Sequence, residues 1–469
     1  MNYYLAIDIG ASSGRHILSH LEDGKLVIEE VHRFENGLQE KNGHLCWDTE
    51  HLFAEVKEGL KKCKDRGTVP KTVGIDTWGI DFVLLDQEDR LLGDAVGYRD
   101  SRTNGADELV YQVIPEQELY RRTGIQKAIF NTIYQLVAVK RDMPELLTQA
   151  KTLLFMPDYL NYLLTGKKVS EYTIASTSQL LDPDTKDWDL QLFEELGLPT
   201  AFLQPIVPTG SFLGTFTDEI AAEVGFSAKV YNVAEHDTGS AVAALPTVED
   251  TVYISSGTWS LMGVERESID AGEAARKGNF TNEGGYLYRF RFLKNIMGLW
   301  MIQSVRKELK EAGETYSFAE LCDLASKEEI SSIVNCNEGR FLSPKSMIRE
   351  IREACKESGQ QVPESAGELS KVVYASLAEC YRETIGQIEE ITGRKYDHIN
   401  IVGGGANAGY LNELTAKATG KTIYAGPTEA TAIGNLIVQM IEEGVFGSLD
   451  AARQAIFDSF GIRTFHSGI

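Results

Sequence analysis

A carboxylate that ends a buried strand, followed at once by glycines and hydroxyls, can grip a polyphosphate and its metal ion. The segment YLAIDIGASSGR has this form: an apolar strand from Tyr4 to Ile9 leads into a turn with Asp8, Gly10, Ser12, Ser13 and Gly14. Nearly half a chain later, VYISSGTWSLMG repeats it, with a strand from Val252 to Ile254 before Ser255, Gly257, Thr258 and Ser260. Aligned on the glycines, Gly10 matches Gly257 and Asp8 matches Ser255. Such a turn presents backbone N–H groups and hydroxyls to an anion. Either copy alone reads equally well as a β-hairpin with a glycine turn. The repetition favours two domains that hold one nucleotide triphosphate and its metal between them.

A lone carboxylate at Asp8 is costly in a buried strand. A hydrated Mg²⁺ would compensate it, because that ion favours one or two carboxylates plus phosphate oxygens. Ser12, Ser13 and Arg15 would then contact the phosphates. Asp237, between His236 and Thr238 and before a small-residue helix, is placed to take a proton from a substrate hydroxyl. The competing reading is a helix N-cap, which Asp also favours. GIDTWGID (74–81) and YRDSR (98–102) put carboxylates, arginines and two aromatic rings beside strand ends. That composition suits a sugar, and it also suits ordinary loop salt bridges.

Gly403-Gly404-Gly405, between a strand and a helix, lets a ligand approach the backbone closely. The run through Ala408 also matches G-x-G-x-x-A. The following strand ends in Tyr424-Ala425-Gly426 without an acid for a ribose, so an adenosine-side contact is the better reading. Gly420-Lys421-Thr422 imitates a phosphate-loop lysine. However, Thr415 stands where glycine is required, and the tripeptide runs from helix into strand; it reads as a helix C-cap.

These residues need a scaffold of some size. At 469 residues, two domains are the natural expectation. Hydrophobic residues at 43% and charged residues at 25% describe a globular protein. A net charge of −23, from 46 basic and 69 acidic side chains, argues against nucleic-acid binding and docking on an anionic membrane. The six cysteines form no C-x-x-C pair and read as reduced thiols. His16 and His20 lie on a predicted strand, about 13 Å apart, too far to share a zinc ion. The N-terminus has no basic leader and its apolar run is broken by Asp8, so no signal peptide is expected. No apolar run approaches the ~20 residues of a membrane span. A cytoplasmic protein is expected.

Strands and turns fill the first 100 residues, with one helix from about Thr49 to Cys63. Helices dominate from about 102 to 200, one of them capped by Pro157-Asp158. A strand near Val230 precedes Glu235-His236-Asp237 and a helix from Thr238 to Ala244. Pro246 with Val248-Glu249-Asp250 reads as the crossover, giving domains 1–245 and 246–469. The second half opens with strands (251–265). It continues with a helix from Ala366 to Ile391, whose stripe Leu369, Val372, Val373, Ser376, Leu377, Cys380, Ile385 and Ile388 reads as core. A strand from His398 to Val402, a helix to Thr419, a strand from Thr422 to Ala425 and a helix from Ala430 to Glu443 follow. A last helix spans about Leu449 to Phe460 and could pack back on the first domain. The order is α/β in both halves.

Together, DIGASSGR (8–15), GIDTWGIDFVLLD (74–86), YRDSRTNG (98–105), MPDYLNYLLTGK (156–167), HDTGSAV (236–242), SSGTWSLMG (255–263), TNEGG (281–285), LKNIMGLW (293–300) and IVGGGAN (401–407) resemble the FGGY carbohydrate kinases of the actin, Hsp70 and sugar-kinase superfamily. The resemblance covers essentially the whole chain. One departure lies at Asn131-Thr132-Ile133-Tyr134-Gln135-Leu136, where many members carry a basic-and-tryptophan pattern. It sets the chain apart from the glycerol and xylulose kinases.

The resemblance implies two ribonuclease H-like domains flanking a deep cleft, an N-terminal one for sugar and phosphates and a C-terminal one for the nucleotide. It implies an ATP- and Mg²⁺-dependent kinase that phosphorylates L-rhamnulose at O1 in L-rhamnose catabolism. Ala11, Ser12, Ser13, Gly14 and Arg15 would bind ATP phosphates, with Thr258, Gln303 and Gly404 completing the nucleotide site. Gly79, His236, Asp237, Thr238 and Asn295 would hold the sugar, Asp237 would be the catalytic base, and Asp8 would serve the metal. Partners would be a ketose and ATP, with the chain a monomer or small homo-oligomer. Sister kinases of fuculose, xylulose or ribulose share the phosphate loops. A sugar-responsive regulator would need a DNA-binding module before Tyr3, and an Hsp70-type chaperone would need a peptide-binding domain. An NAD enzyme is weakened by the missing ribose acid.

Overall fold

The computed structural model describes residues 1–247 and 250–468. Of the expected crossover, Val248 and Glu249 lie outside the described residues. Two compact units result. The first comprises Met1–Ala244, Glu265–Phe292 and Thr431–Ser459; the second comprises Leu245–Val264, Leu293–Ala430 and Phe460–Ile469.

The first unit is built on strands β1 (Tyr3–Ile9), β2 (Ser13–Glu22), β3 (Lys25–Glu35), β4 (Pro70–Thr77), β5 (Phe212–Thr215) and β6 (Lys229–Tyr231). Their order is β5-β6-β4-β1-β2-β3. β1 to β3 form an antiparallel meander, β4 and β6 run parallel to β1, and β5 is antiparallel at the edge. Strand β1 is buried on both faces beyond its first residue, which is why it reads as a continuous apolar run and not as an alternation. Helix α1 (Thr49–Asp65) starts where Asp48 accepts a 2.9 Å bond from the His51 N–H, and it buries Leu52, Val56 and Leu60.

The second unit repeats this plan. Strands β7 (Val252–Ser256), β8 (Trp259–Arg266), β9 (Phe290–Met297), β10 (His398–Val402), β11 (Thr422–Ala425) and β12 (Arg463–Phe465) lie in the order β9-β8-β7-β10-β11-β12 of a seven-stranded sheet whose remaining strand is Phe280–Gly284; the last residues of β8 and the first of β9 (Glu265–Arg266 and Phe290–Phe292) count with the first unit. β8 is antiparallel to β7, β10 and β11 are parallel to it, and β12 is antiparallel at the edge. The duplicated turn seen in the sequence is thus the visible part of a duplicated sheet.

The short helix α2 (Asp237–Ala243) belongs to the first unit. Helix α3 (Ala366–Thr392) belongs to the second; a Ser365/Glu368 capping box starts it, and the whole expected apolar stripe is buried. Helix α4 (Gly409–Thr419) ends at Gly420 in the left-handed conformation (φ 70°), so Gly420-Lys421-Thr422 is a helix stop as expected. Helices α5 (Ala430–Glu442) and α6 (Leu449–Ser459) return to the first unit. There the Leu26 N–H donates to Ser459 Oγ at 2.9 Å. Gln439 donates to the Leu5 carbonyl at 2.9 Å and accepts from Thr72 Oγ1 at 2.6 Å, fastening α5 to β1 and β4.

The six cysteines are free thiols, five of them buried. No helix among the described residues is long and apolar enough to cross a membrane.

Candidate active site

In the first unit, the turn between β1 and β2 is closed by Gly10 N–H donating to the Ser13 carbonyl at 2.9 Å. Asn36 secures its other carbonyls: Nδ2 donates to Gly10 O at 2.8 Å and N–H to Ser12 O at 3.1 Å. These bonds tie down the Gly10, Ser12 and Ser13 carbonyl oxygens, which would repel an anion. Gly14 is required here for space, since a Cβ would overlap the Phe34 ring.

Asp8 stands across from Arg15 in the hairpin and across from Asp76 in the parallel pair β1/β4. Arg15 Nη2 donates to Asp8 Oδ2 at 2.6 Å. The expected lone carboxylate therefore has an ion-pair partner in Arg15, a residue expected to contact the phosphates. Asp76 is fully buried; its Oδ2 accepts from Asn435 of α5 at 2.6 Å, and its Oδ1 has no partner. Burial, then the nearby charge of Asp8, push the Asp76 carboxyl well above the usual range, with Asp237 adding to the effect. Two carboxylates side by side, one with a bare buried oxygen, suit a hydrated Mg²⁺ with phosphate oxygens as its other ligands. Among the described residues, no group of three or more His, Cys, Asp or Glu could hold a metal by itself.

Asp237 is the first residue of α2, and His236 occupies the N-cap position with no side-chain capping bond. The capping reading of Asp237 therefore fails. Its carboxylate is about one-third exposed, and Oδ1 accepts from Thr238 Oγ1 at 3.0 Å. The approach to α2 is anchored at both ends. The Glu235 carbonyl accepts from Thr77 N–H at 2.9 Å, and His236 N–H donates to Thr173 Oγ1 at 3.2 Å. Gly79 sits in the turn after β4, where a Cβ would come within 3.2 Å of Thr177 Oγ1.

The motif expected to grip a sugar is partly a structural knot. Asp81 is buried and accepts from Trp47 Nε1 (2.7 Å), Trp78 Nε1 (3.0 Å), Tyr98 N–H (3.1 Å) and Gln135 Nε2 (2.9 Å). Burial raises its carboxyl, and those four donors oppose the rise. Asp81 thus organises the loops that carry Trp78 and Tyr98.

A second set of buried acids lies behind Asp237. Glu171 Oε2 accepts from Thr173 N–H (2.8 Å), Ile174 N–H (3.1 Å) and Thr173 Oγ1 (2.6 Å). Asp158 and Glu235 are hydrogen-bonded to each other, and both carboxyls are pushed well up, first by burial and, for Glu235, then by the charges of Asp158 and Glu171. A carboxylic acid raised in the native state keeps a proton that the unfolded chain has released. Its contribution to stability therefore falls as pH rises from about 4 toward its native value. Glu235→Gln stays neutral at every pH. It should remove up to about 1.4 kcal/mol per pH unit of that slope, seen as a smaller loss of Tm between pH 5 and pH 8 than in the parent. An unchanged slope would remove Glu235 from this role.

In the second unit, Gly257 N–H closes the shorter turn onto the Trp259 carbonyl at 2.8 Å. Trp300 N–H donates to Thr258 O at 3.1 Å, so the helix Trp300–Glu311, which carries Gln303, starts on this turn. Gly403 and Gly405 lie against the end of β7, where a Cβ on Gly403 would come 2.9 Å from Ser256 O and one on Gly405 would overlap the Ser256 side chain. Thr258, Gly404 and the helix of Gln303 are thereby gathered around one strand end. Asn295 is exposed on β9. Where β1 and β4 carry Asp8 and Asp76, the equivalent pair in β7 and β10 is Ser255 and Val402. Only the first unit offers carboxylates at this position.

The chain is similar to proteins of known family. A protein described as rhamnulokinase from Halalkalibacterium halodurans is 50% identical over 100% of this chain and 99% of its own length. Another from Bacillus subtilis is 44% identical, over 98% of this chain and 95% of its own. Among solved structures, ligand-bound xylulose kinase from Lactobacillus acidophilus has a TM-score of 0.82 at 17% identity, covering 100% of this chain and 94% of that one. Plasmodium falciparum glycerol kinase with ADP has a TM-score of 0.81 at 16% identity, covering 100% and 94%. These two share the fold. The model for the N-terminal domain of the FGGY family of carbohydrate kinases matches residues 3–243, and that for its C-terminal domain matches residues 252–443. With its two repeated sheets, its paired glycine-and-hydroxyl turns and its accessible Asp237, the chain belongs to the FGGY family of carbohydrate kinases, ATP-dependent enzymes that phosphorylate sugars.

Proposed function

We propose that this kinase transfers the γ-phosphoryl group of ATP to O1 of L-rhamnulose, giving L-rhamnulose 1-phosphate and ADP, in L-rhamnose catabolism in the cytoplasm. The observation that carries the substrate is the 50% identity, over the whole chain, to a protein described as a rhamnulokinase. The chemistry rests on Asp237, an accessible carboxylate beside a phosphate-type turn and free of any capping duty.

In this reading Asp237 accepts the proton of the sugar hydroxyl as it attacks. Gly79, His236, Thr238 and Asn295 hold the ketose. Ala11, Ser12, Ser13, Gly14 and Arg15, with Thr258, Gln303 and Gly404, bind ATP. Residues 1–245 carry most of the sugar and phosphate contacts, residues 246–469 carry most of the nucleotide contacts, and the chain works as a monomer or small homo-oligomer. Asp8, with Asp76 beside it, would hold Mg²⁺, which neutralises phosphate charge when bound. The proteins of this class need positioning and charge neutralisation more than covalent help.

ADP release measured across a ketose panel tests the proposal. L-rhamnulose should give the highest kcat/KM, ahead of L-fuculose, D-xylulose and L-ribulose, and chelation of Mg²⁺ should abolish turnover. A higher kcat/KM for any other ketose would reassign the substrate.

A further inference from the structure

Arg291 is a fully buried cation that no step above uses. It lies on β9 within the first unit, as does Glu283 of the strand Phe280–Gly284. Its Nε donates to the Gly284 carbonyl at 2.8 Å. Its Nη2 lies 3.0 Å from Glu283 Oε2 and 2.8 Å from His236 Nδ1. His236 Nδ1 is also 3.3 Å from Glu283 Oε2, and His236 Nε2 is 3.4 Å from Asp237 Oδ1. Four side chains thus form a line from a buried guanidinium to the carboxylate of the base.

The chemistry of the donors fixes the direction of this line. A guanidinium has hydrogens and no lone pair to offer. A ring nitrogen 2.8 Å from it must therefore accept. The alternative, Nδ1–H donating to Glu283, would set two donors against each other at 2.8 Å, whereas a bare Nδ1 sets two acceptors 3.3 Å apart, so the shorter contact decides. In a neutral imidazole the remaining hydrogen is then on Nε2. That nitrogen faces Asp237. The result is a complementary pair, with Asp237 to accept a proton and His236 Nε2–H to donate to a sugar oxygen next to it. Glu283 supplies the counter-charge. Burial opposes its ionisation, and the charge of Arg291, the largest opposing cause, holds its carboxyl low.

We propose that Arg291, held by Glu283, is a positioning residue that locks His236 as its Nε2–H tautomer and so aims a hydrogen-bond donor at the sugar beside Asp237. The inference rests on the kinase reading above for the role of the sugar, but the tautomer itself does not.

Nitrogen NMR of ¹⁵N-histidine-labelled protein, with the His236 signals assigned from a His236→Asn sample, reads the tautomer directly. The parent should show Nε2 protonated and Nδ1 bare. In Arg291→Met the nearest partner of Nδ1 becomes Glu283, so the proton should move to Nδ1. ketose turnover should then fall about ten-fold or more, the scale of one charge-assisted contact, with the KM for ATP unchanged. Glu283→Gln leaves Arg291 in place and should keep Nε2–H. If Arg291→Met does not fold, the parent and Glu283→Gln spectra decide. Nδ1–H in the parent, or an unchanged tautomer in a folded Arg291→Met, would overturn the proposal. Rhamnulose turnover by a parent carrying Nδ1–H would sink this inference alone. The Nε2–H tautomer without ketose turnover would sink the kinase reading alone and uphold the assignment of the ring.

Discussion

Asp237→Asn is expected to fold like the parent, to bind the ketose, and to turn over at least ~100-fold more slowly, since a positioned general base contributes ~10²–10⁴-fold. The substitution is close to isosteric. It preserves an oxygen for Thr238 Oγ1, which now bonds Asp237 Oδ1 at 3.0 Å. It breaks no capping bond, because the N-cap position belongs to His236 and carries none. Only the capacity to accept a proton is lost. Steady-state ADP release, with ketose binding followed by calorimetry, separates chemistry from affinity. Turnover close to the parent's would mean that the sugar hydroxyl reaches the phosphate without help from this carboxylate.

Gly434→Ala should be the most damaging single-methyl change in the first unit. Helices α2 and α5 cross at this glycine. A Cβ there would lie 2.5 Å from the Ser240 carbonyl carbon and closer still to its oxygen. Both are backbone atoms and cannot swing aside, so one helix must move. Overpacking of this kind costs about 3 kcal/mol at the upper end of its usual range, which corresponds to a fall in Tm of about 5 °C for a unit of about 300 residues. One of the two helices begins with Asp237. A misplacement of about 1 Å near the chemistry can cost ~10²-fold in rate, so kcat should fall even in the fraction that remains folded. Parent-like Tm and kcat would show that α2 and α5 are not packed this tightly.

The local parts of the fold were legible because local physics sets them. The helix expected from Ala366 to Ile391 spans Ala366–Thr392, since its apolar stripe and the Ser365/Glu368 box are both short-range signals. The strands around the two glycine turns were legible for the same reason. The capping reading of Asp237 was not, since Asp suits a helix cap and a base equally well from sequence, and the observed cap geometry removes only the first. Asp76 was visible in GIDTWGID but was grouped with Asp81 as a sugar ligand. The parallel register of β1 and β4 sets it against Asp8 instead, and the tryptophan and glutamine donors make Asp81 a structural hub.

The amino-acid order alone established the duplicated turns, the α/β alternation in both halves, the acidic balance and the family. Each of these depends on neighbours a few residues apart or on a spaced set of motifs. Tertiary structure alone decided that Asn435 of α5 would meet Asp76, that Glu235 would share a proton with Asp158, and that Arg291 would reach His236. The partners in these pairs are 359, 77 and 55 positions apart. No local propensity encodes such meetings; they are fixed only when the sheet register and helix packing bring the backbones together.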